Sequence, residues 1–134
     1  MAYVLFLDDD HDRHAHFRAC VEARATDRQI LYVFTAAAAI EALRTYEGEI
    51  TEAFLDHDLC VADQWVAPGA PSQVPTGMVV VDHIIGMHRP PARVTVHSFN
   101  YDAAVEMCAR LAAVPTIAVE RIPFTQLLVR LAPS

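Results

Sequence analysis

With 134 residues, 54% of them hydrophobic, the chain is sized for a single domain that buries its own core. The net charge is −7 and all ten basic residues are arginine, which leaves no basic stripe for counterion-releasing contact with a long nucleic-acid duplex. The three cysteines, Cys20, Cys60 and Cys108, stand in no zinc-ligand spacing and read as reduced thiols, and no apolar run reaches the roughly eighteen residues that span a bilayer.

A soluble, cytoplasmic protein with no membrane contact, folded as one domain over residues 1–134, is therefore the expectation. Residues 3–7 form a near-continuous apolar run, the signature of a parallel strand covered on both faces. A helix follows from about Asp12, with Phe17, Cys20, Val21 and Arg24 at helical spacing and Cys20 read as a core residue. Residues 29–34, rich in branched and aromatic side chains, predict a second strand, and Thr35 caps the helix expected over 36–46. The third strand is expected over 53–58. After it comes the one irregular stretch, residues 60–75, which holds Pro68, Gly69, Pro71 and Pro75. Within that stretch Trp65 reads most simply as a loop anchor, with stacking on a nucleobase as the alternative.

Thr76 can cap a third helix whose apolar face is Val80, Val81, Ile84 and Ile85, and Arg89-Pro90-Pro91 stops it. Residues 93–96 predict the fourth strand. Val105, Cys108, Leu111 and Ala112 mark the next helix, with Cys108 also read as core, and 116–119 predicts the fifth strand. Pro123 opens a last helix with Phe124, Leu127, Leu128 and Leu131 inward. The fourth and last helices also offer a face for a homodimer.

Strands alternating with helices imply right-handed crossovers and a doubly wound, five-stranded parallel sheet, an α/β three-layer sandwich. The expected strand order is 2-1-3-4-5. Winding then reverses between the first and third strands, where such sheets bind ligands at the carboxyl ends of the strands. Three strands finish there in polar chemistry: Leu7-Asp8-Asp9-Asp10, Leu55-Asp56-His57-Asp58-Leu59 and His97-Ser98-Phe99-Asn100.

The acidic pair ending the first strand and the aspartate ending the third resemble the receiver domains of two-component signalling. A signalling receiver also needs a lysine on its fifth strand, and this chain has none; Arg121 is the nearest substitute and a poor one for a compact ammonium. The chain is more similar to the cyclic-phosphate processing receiver domains. The resemblance rests on Leu7-Asp8-Asp9-Asp10 with Arg13, Leu55-Asp56-His57-Asp58-Leu59, Thr76-Gly77, and His97-Ser98 with Asn100. It departs from the family where Tyr101 and Asp102 follow Asn100 in place of a proline and a glycine, and in the long 60–75 stretch.

The resemblance implies action on cyclic phosphates such as 2′,3′-cyclic nucleotides or RNA ends, in association with RNA repair. Opening such a ring requires an activated water, charge stabilisation and a proton for the leaving oxygen. His57 and His97 are the candidates for proton transfer. Oxygen-only ligation by Asp8, Asp9 and Asp56 favours Mg²⁺ or Mn²⁺, with Asp58 a fourth ligand or the partner that orients an imidazole. A cation in the first turn of a helix opposes the macrodipole, so Arg13 is assigned to phosphate, with Ser98 and Asn100 as neutral donors. Of His11, His14 and His16, at most one is expected to reach the site. The structural alternatives are that Asp8 to Asp10 cap the first helix, that Arg13 pairs with Asp9 or Asp10, that His57 or His97 is a hydrogen-bonded structural residue, and that Ser98 or Asn100 starts the fourth helix. A catalytically inactive module that binds a phosphorylated ligand or a partner protein is the alternative function.

Overall fold

Apolar runs with polar residues at their ends pair side by side into one parallel sheet. The computed structural model describes residues 2–22, 29–57, 76–98 and 100–131. Its strands are β1 (Tyr3–Leu7), β2 (Gln29–Val33), β3 (Ile50–Leu55), β4 (Arg93–Val96) and β5 (Ala118–Arg121), in the order β2-β1-β3-β4-β5 that the alternation of elements predicts. The register sets Leu7 opposite Val33 and Leu55, and Leu55 opposite Val96, so the strands end level. Each ladder runs one step further: the N–H groups of Asp8, Asp56 and His97 donate to the carbonyls of Val33, Leu7 and Leu55. Three polar side chains are thereby carried to one rim on regular backbone.

The helices are α1 (His11–Glu22), α2 (Ala36–Thr45), α3 (Gly77–Ile85), α4 (Tyr101–Ala112) and α5 (Phe124–Leu131). Thr35, Thr76 and Asn100 cap α2, α3 and α4, accepting from the N–H groups of Ala38, Met78 and Ala103. Strand alternation divides the core between the two faces of the sheet. On the face under α2, α3 and α4 the buried residues are aliphatic, among them Leu5, Leu7, Leu43, Leu55, Ile84, Val94 and Leu111. On the face under α1 and α5 they are mainly aromatic, with Phe6, Phe17, Phe54 and Phe124 beside Val4, Ile122 and Leu127.

Several details differ from the sequence reading. Strand β3 begins earlier, at buried Ile50, because the outward-facing Thr51 interrupts the apolar run; it ends at Leu55, so Asp56 and His57 follow the strand. Strand β5 lies two residues later than expected. It is an edge strand, where the charged Glu120 and Arg121 are tolerated. The inward stripes of α3 and α4 are Val80, Val81 and Ile84, and Ala104, Met107 and Leu111, leaving Ile85 and Val105 exposed. Cys20 and Cys108 are half-buried at the margins of the core, and burial raises the Cys108 thiol pKa. Phe124 and Leu127 are buried as expected. Arg24, Asp58, Cys60, Trp65, the 60–75 stretch and the side chain of Leu131 lie outside the described residues. Among the described residues no helix is long and apolar enough to cross a membrane.

Candidate active site

The site starts from the strand ends. Asp8 and Asp56 continue the alternation that points Phe6 and Phe54 toward α1 and α5, and His97 continues that of Thr95 on β4. All three reach the aromatic side of the sheet and are almost fully buried. Asp8 is the hub. Its Oδ1 accepts the Asp10 N–H at 2.9 Å, and its Oδ2 accepts from Arg13 Nε at 2.7 Å and from His97 Nε2 at 3.1 Å. Its carbonyl lies 2.7 Å from His14 Nε2.

Asp10 organises the same turn from outside, its Oδ1 accepting the N–H groups of Asp12 and Arg13 at the start of α1. That start places Arg13 over the rim, with a terminal nitrogen 3.3 Å from Asp9 Oδ1 and 3.5 Å from Asp56 Oδ2. Asp56 Oδ1 accepts the N–H of His57 at 2.9 Å. The His57 carbonyl accepts from Gly77 N at 3.0 Å, where α3 begins. A Cβ on Gly77 would overlap the Asp56 carbonyl oxygen and crowd the His57 Cα, so only glycine lets α3 start this close to the end of β3.

Two neighbouring carboxylates are pushed in opposite directions. Burial raises the pKa of Asp8, but the hydrogen bonds from His97, Arg13 and the Asp10 N–H outweigh it and bring it down to about 2. Asp56 is raised to about 7 by burial and then by the charge of Asp8, with Arg13 only partly opposing. Burial lowers the pKa of His97 despite its bond to Asp8, and burial likewise lowers that of His14. Rings hold both imidazoles: His97 lies parallel to Phe6 at 5.2 Å, and His14 stacks on Phe34 at 3.9 Å.

The family model described as the cyclic-phosphate processing receiver domain matches residues 3–113. The chain belongs to this family. Solved receiver structures share its fold. The response regulator domain of Thermotoga maritima CheB is 15% identical, with 98% of this chain and 90% of that chain covered at a TM-score of 0.65. The phosphorylated cyanobacterial phytochrome response regulator RcpA is 15% identical, with 97% and 88% covered at 0.65. The Mn²⁺-bound response regulator Rcp1 is 14% identical, with 98% and 89% covered at 0.64. No curated protein matches the chain.

In this cyclic-phosphate processing receiver domain, Asp8, Asp9, Arg13, Asp56 and His97 come together at one rim, and His57 follows Asp56 directly. Asp8, Asp9 and Asp56 each offer an oxygen within 4.8 Å of the others, and this all-oxygen set of hard donors fits a divalent cation of the Mg²⁺ or Mn²⁺ kind. Ser98 is buried beside His97, and its hydroxyl accepts the Asn100 N–H, while Asn100 caps α4. Asp58 lies outside the described residues.

The sequence left one contributor open among three histidines and missed another. Of the three histidines at the start of α1, His14 reaches the site, through the Asp8 backbone; its position three residues before Phe17, on the buried stripe of α1, was the available signal. Phe6, read only as core, is the surface on which His97 rests. A separate groove of about 390 Å³ between the C-terminal ends of α2 and α3, lined by Arg44, Glu47, Asp82, His83 and His88, contains none of these residues.

Proposed function

We propose that the chain is a phosphoesterase that opens cyclic phosphates, on 2′,3′-cyclic nucleotides or RNA ends, with the help of a divalent cation. The observation that carries this reading is the convergence of Asp8, Asp9 and Asp56 within 4.8 Å at the ligand-binding rim of a cyclic-phosphate processing receiver domain. Those three residues would hold the cation, as the Mn²⁺-bound form of the similar Rcp1 encourages. When bound, the cation supplies Lewis acidity to a phosphoryl group and offsets the repulsion between an acidic site and an anion.

The protein's own residues divide the remaining work. His57 is half-buried and fixed through its backbone to both Asp56 and Gly77, so its imidazole is the general acid or base of this reading. His97 takes a different role from the one its motif suggests. With its ring buried and its Nε2 on Asp8, it is a positioning residue that orients a ligand carboxylate from behind. Arg13 and the neighbouring N-termini of α1 and α3 supply positive potential for the phosphate.

Incubation with a panel of 2′,3′-cyclic and 3′,5′-cyclic nucleotides and short RNA with a cyclic end, in Mg²⁺, Mn²⁺ or chelator, tests the reading. Ring opening should be lost with chelator and in Asp8→Ala, and should fall by about two orders of magnitude or more in His57→Ala. Stoichiometric binding with recovery of the intact ring would instead favour a ligand-binding module. The burial of His97 supports that second reading, because it removes one of the two histidines from direct proton transfer.

A further inference from the structure

Arg13 stands where a cation would. Its Nε donates to Asp8 Oδ2 at 2.7 Å, one terminal nitrogen lies 3.3 Å from Asp9 Oδ1 and 3.5 Å from Asp56 Oδ2, and the other lies 3.5 Å from Asp10 Oδ2. The guanidinium therefore touches all three residues that would ligate a divalent ion. The Asp8 side chain is sealed from solvent, whereas that of Arg13 is 23% exposed, so the cation lies at the mouth of the site on a flexible stem. The stem is rooted in the first turn of α1, where the macrodipole disfavours a positive charge.

We propose that Arg13 is a tethered counterion that exchanges with the divalent cation, and that the exchange frees its guanidinium to meet the phosphate; this rests on the metal reading above. The hydrogen bonds of Asp8 give the reason. Oδ1 accepts the Asp10 N–H, and Oδ2 accepts from both His97 and Arg13. The Asp10 donor is a backbone N–H and the His97 ring is buried on the protein side, so both can stay while a metal binds. Arg13 is charged and contacts the same three carboxylates a metal must reach at roughly 2.1 Å, so guanidinium and metal compete for them.

Metal and anion binding are coupled as a consequence. Without metal, Arg13 is neutralised by carboxylates and attracts an external phosphate weakly. With metal in place, its charge is returned to the mouth of the site. The cation should therefore bind before the anion, each tightening the other.

Mn²⁺ titration by calorimetry on the wild-type chain, Arg13→Gln, Arg13→Lys and Asp8→Asn tests the exchange, followed by titration of each Mn²⁺-loaded protein with inorganic phosphate. Arg13→Gln should bind Mn²⁺ about ten-fold more tightly and phosphate about ten-fold more weakly than wild type, with Arg13→Lys between. In the wild-type chain, the NMR signal of the Arg13 Nε–H should move on saturation with Mg²⁺, a readout that needs no variant to fold. Unchanged or weaker Mn²⁺ affinity in Arg13→Gln, or an Arg13 signal indifferent to Mg²⁺, overturns the exchange alone. If no variant binds Mn²⁺, or if Asp8→Asn binds it as well as wild type, the metal site itself fails and the exchange with it.

Discussion

The two faces of the sheet are built from different material. Under α2, α3 and α4 the buried core is a mosaic of Leu, Ile, Val and Ala with Met107, and no aromatic ring is among its buried members. Under α1 and α5 it is a stack of rings in which Phe6 contacts Phe17, His14, His97 and Phe124. The first face stabilises; the second stabilises and also orients, because two of its rings end on Asp8. An aliphatic core tolerates repacking, whereas a ring that carries a hydrogen bond has a direction to keep.

The largest expected effect belongs to the acidic rim on the aromatic side. Asp56, with Asp8, Asp9 and Arg13 facing it, has a folded-state pKa of about 7 against an ordinary 3.8. A pKa raised by folding favours the native state below the unfolded value, and that contribution is lost as pH rises through the folded one. Metal-free protein should lose about 4 kcal/mol of stability between about pH 4 and pH 8 on this account. Asp8 works in the opposite sense, its contribution disappearing only as pH falls from its ordinary 3.8 toward about 2. Denaturant melts across this range should show the loss, flattened in Asp56→Asn and reversed by Mn²⁺. A flat wild-type profile would deny that the rim is held at the expense of stability.

A paired substitution sharpens the contrast. Leu43→Ala, in the aliphatic face, should cost about 3 kcal/mol and leave Mn²⁺ affinity of the folded protein unchanged. Phe6→Leu should cost less, about 1.5 kcal/mol, yet weaken Mn²⁺ binding several-fold through the unsupported His97 ring. Equal changes in Mn²⁺ affinity from the two would erase the distinction between the faces. The smallest effect is expected from Thr35→Ala, which removes the α2 cap for about 1 kcal/mol and should not register in metal binding at all.

The sheet order was legible because parallel strands covered on both faces read as unbroken apolar runs, and the level ends of β1, β3 and β4 follow from that order. Edges were harder. Thr51 concealed the start of β3 and Glu120 the end of β5, since polar residues at exposed strand positions look like loop. In the site, the carboxylates and Arg13 were visible as strand-end and first-turn residues. What Arg13 touches was only half visible: Asp9 and Asp10 lie just four and three residues before it in the chain, but Asp56 arrives from beyond the end of β3. The inward turn of His97 was hidden because it depends on Phe6 and Phe124, each distant in the chain.

The contact between Gly77 and the end of β3 bears on how such a protein can change over evolutionary time. The chain leaves the site at His57 and returns to it at Gly77, and the two are fastened by a 3.0 Å hydrogen bond with no room for a side chain. Whatever lies between is an excursion with both feet fixed. Its closure entropy grows only slowly with length, so residues can be inserted or exchanged there without moving Asp56. Sequence can then drift in that segment while the acidic rim is inherited intact.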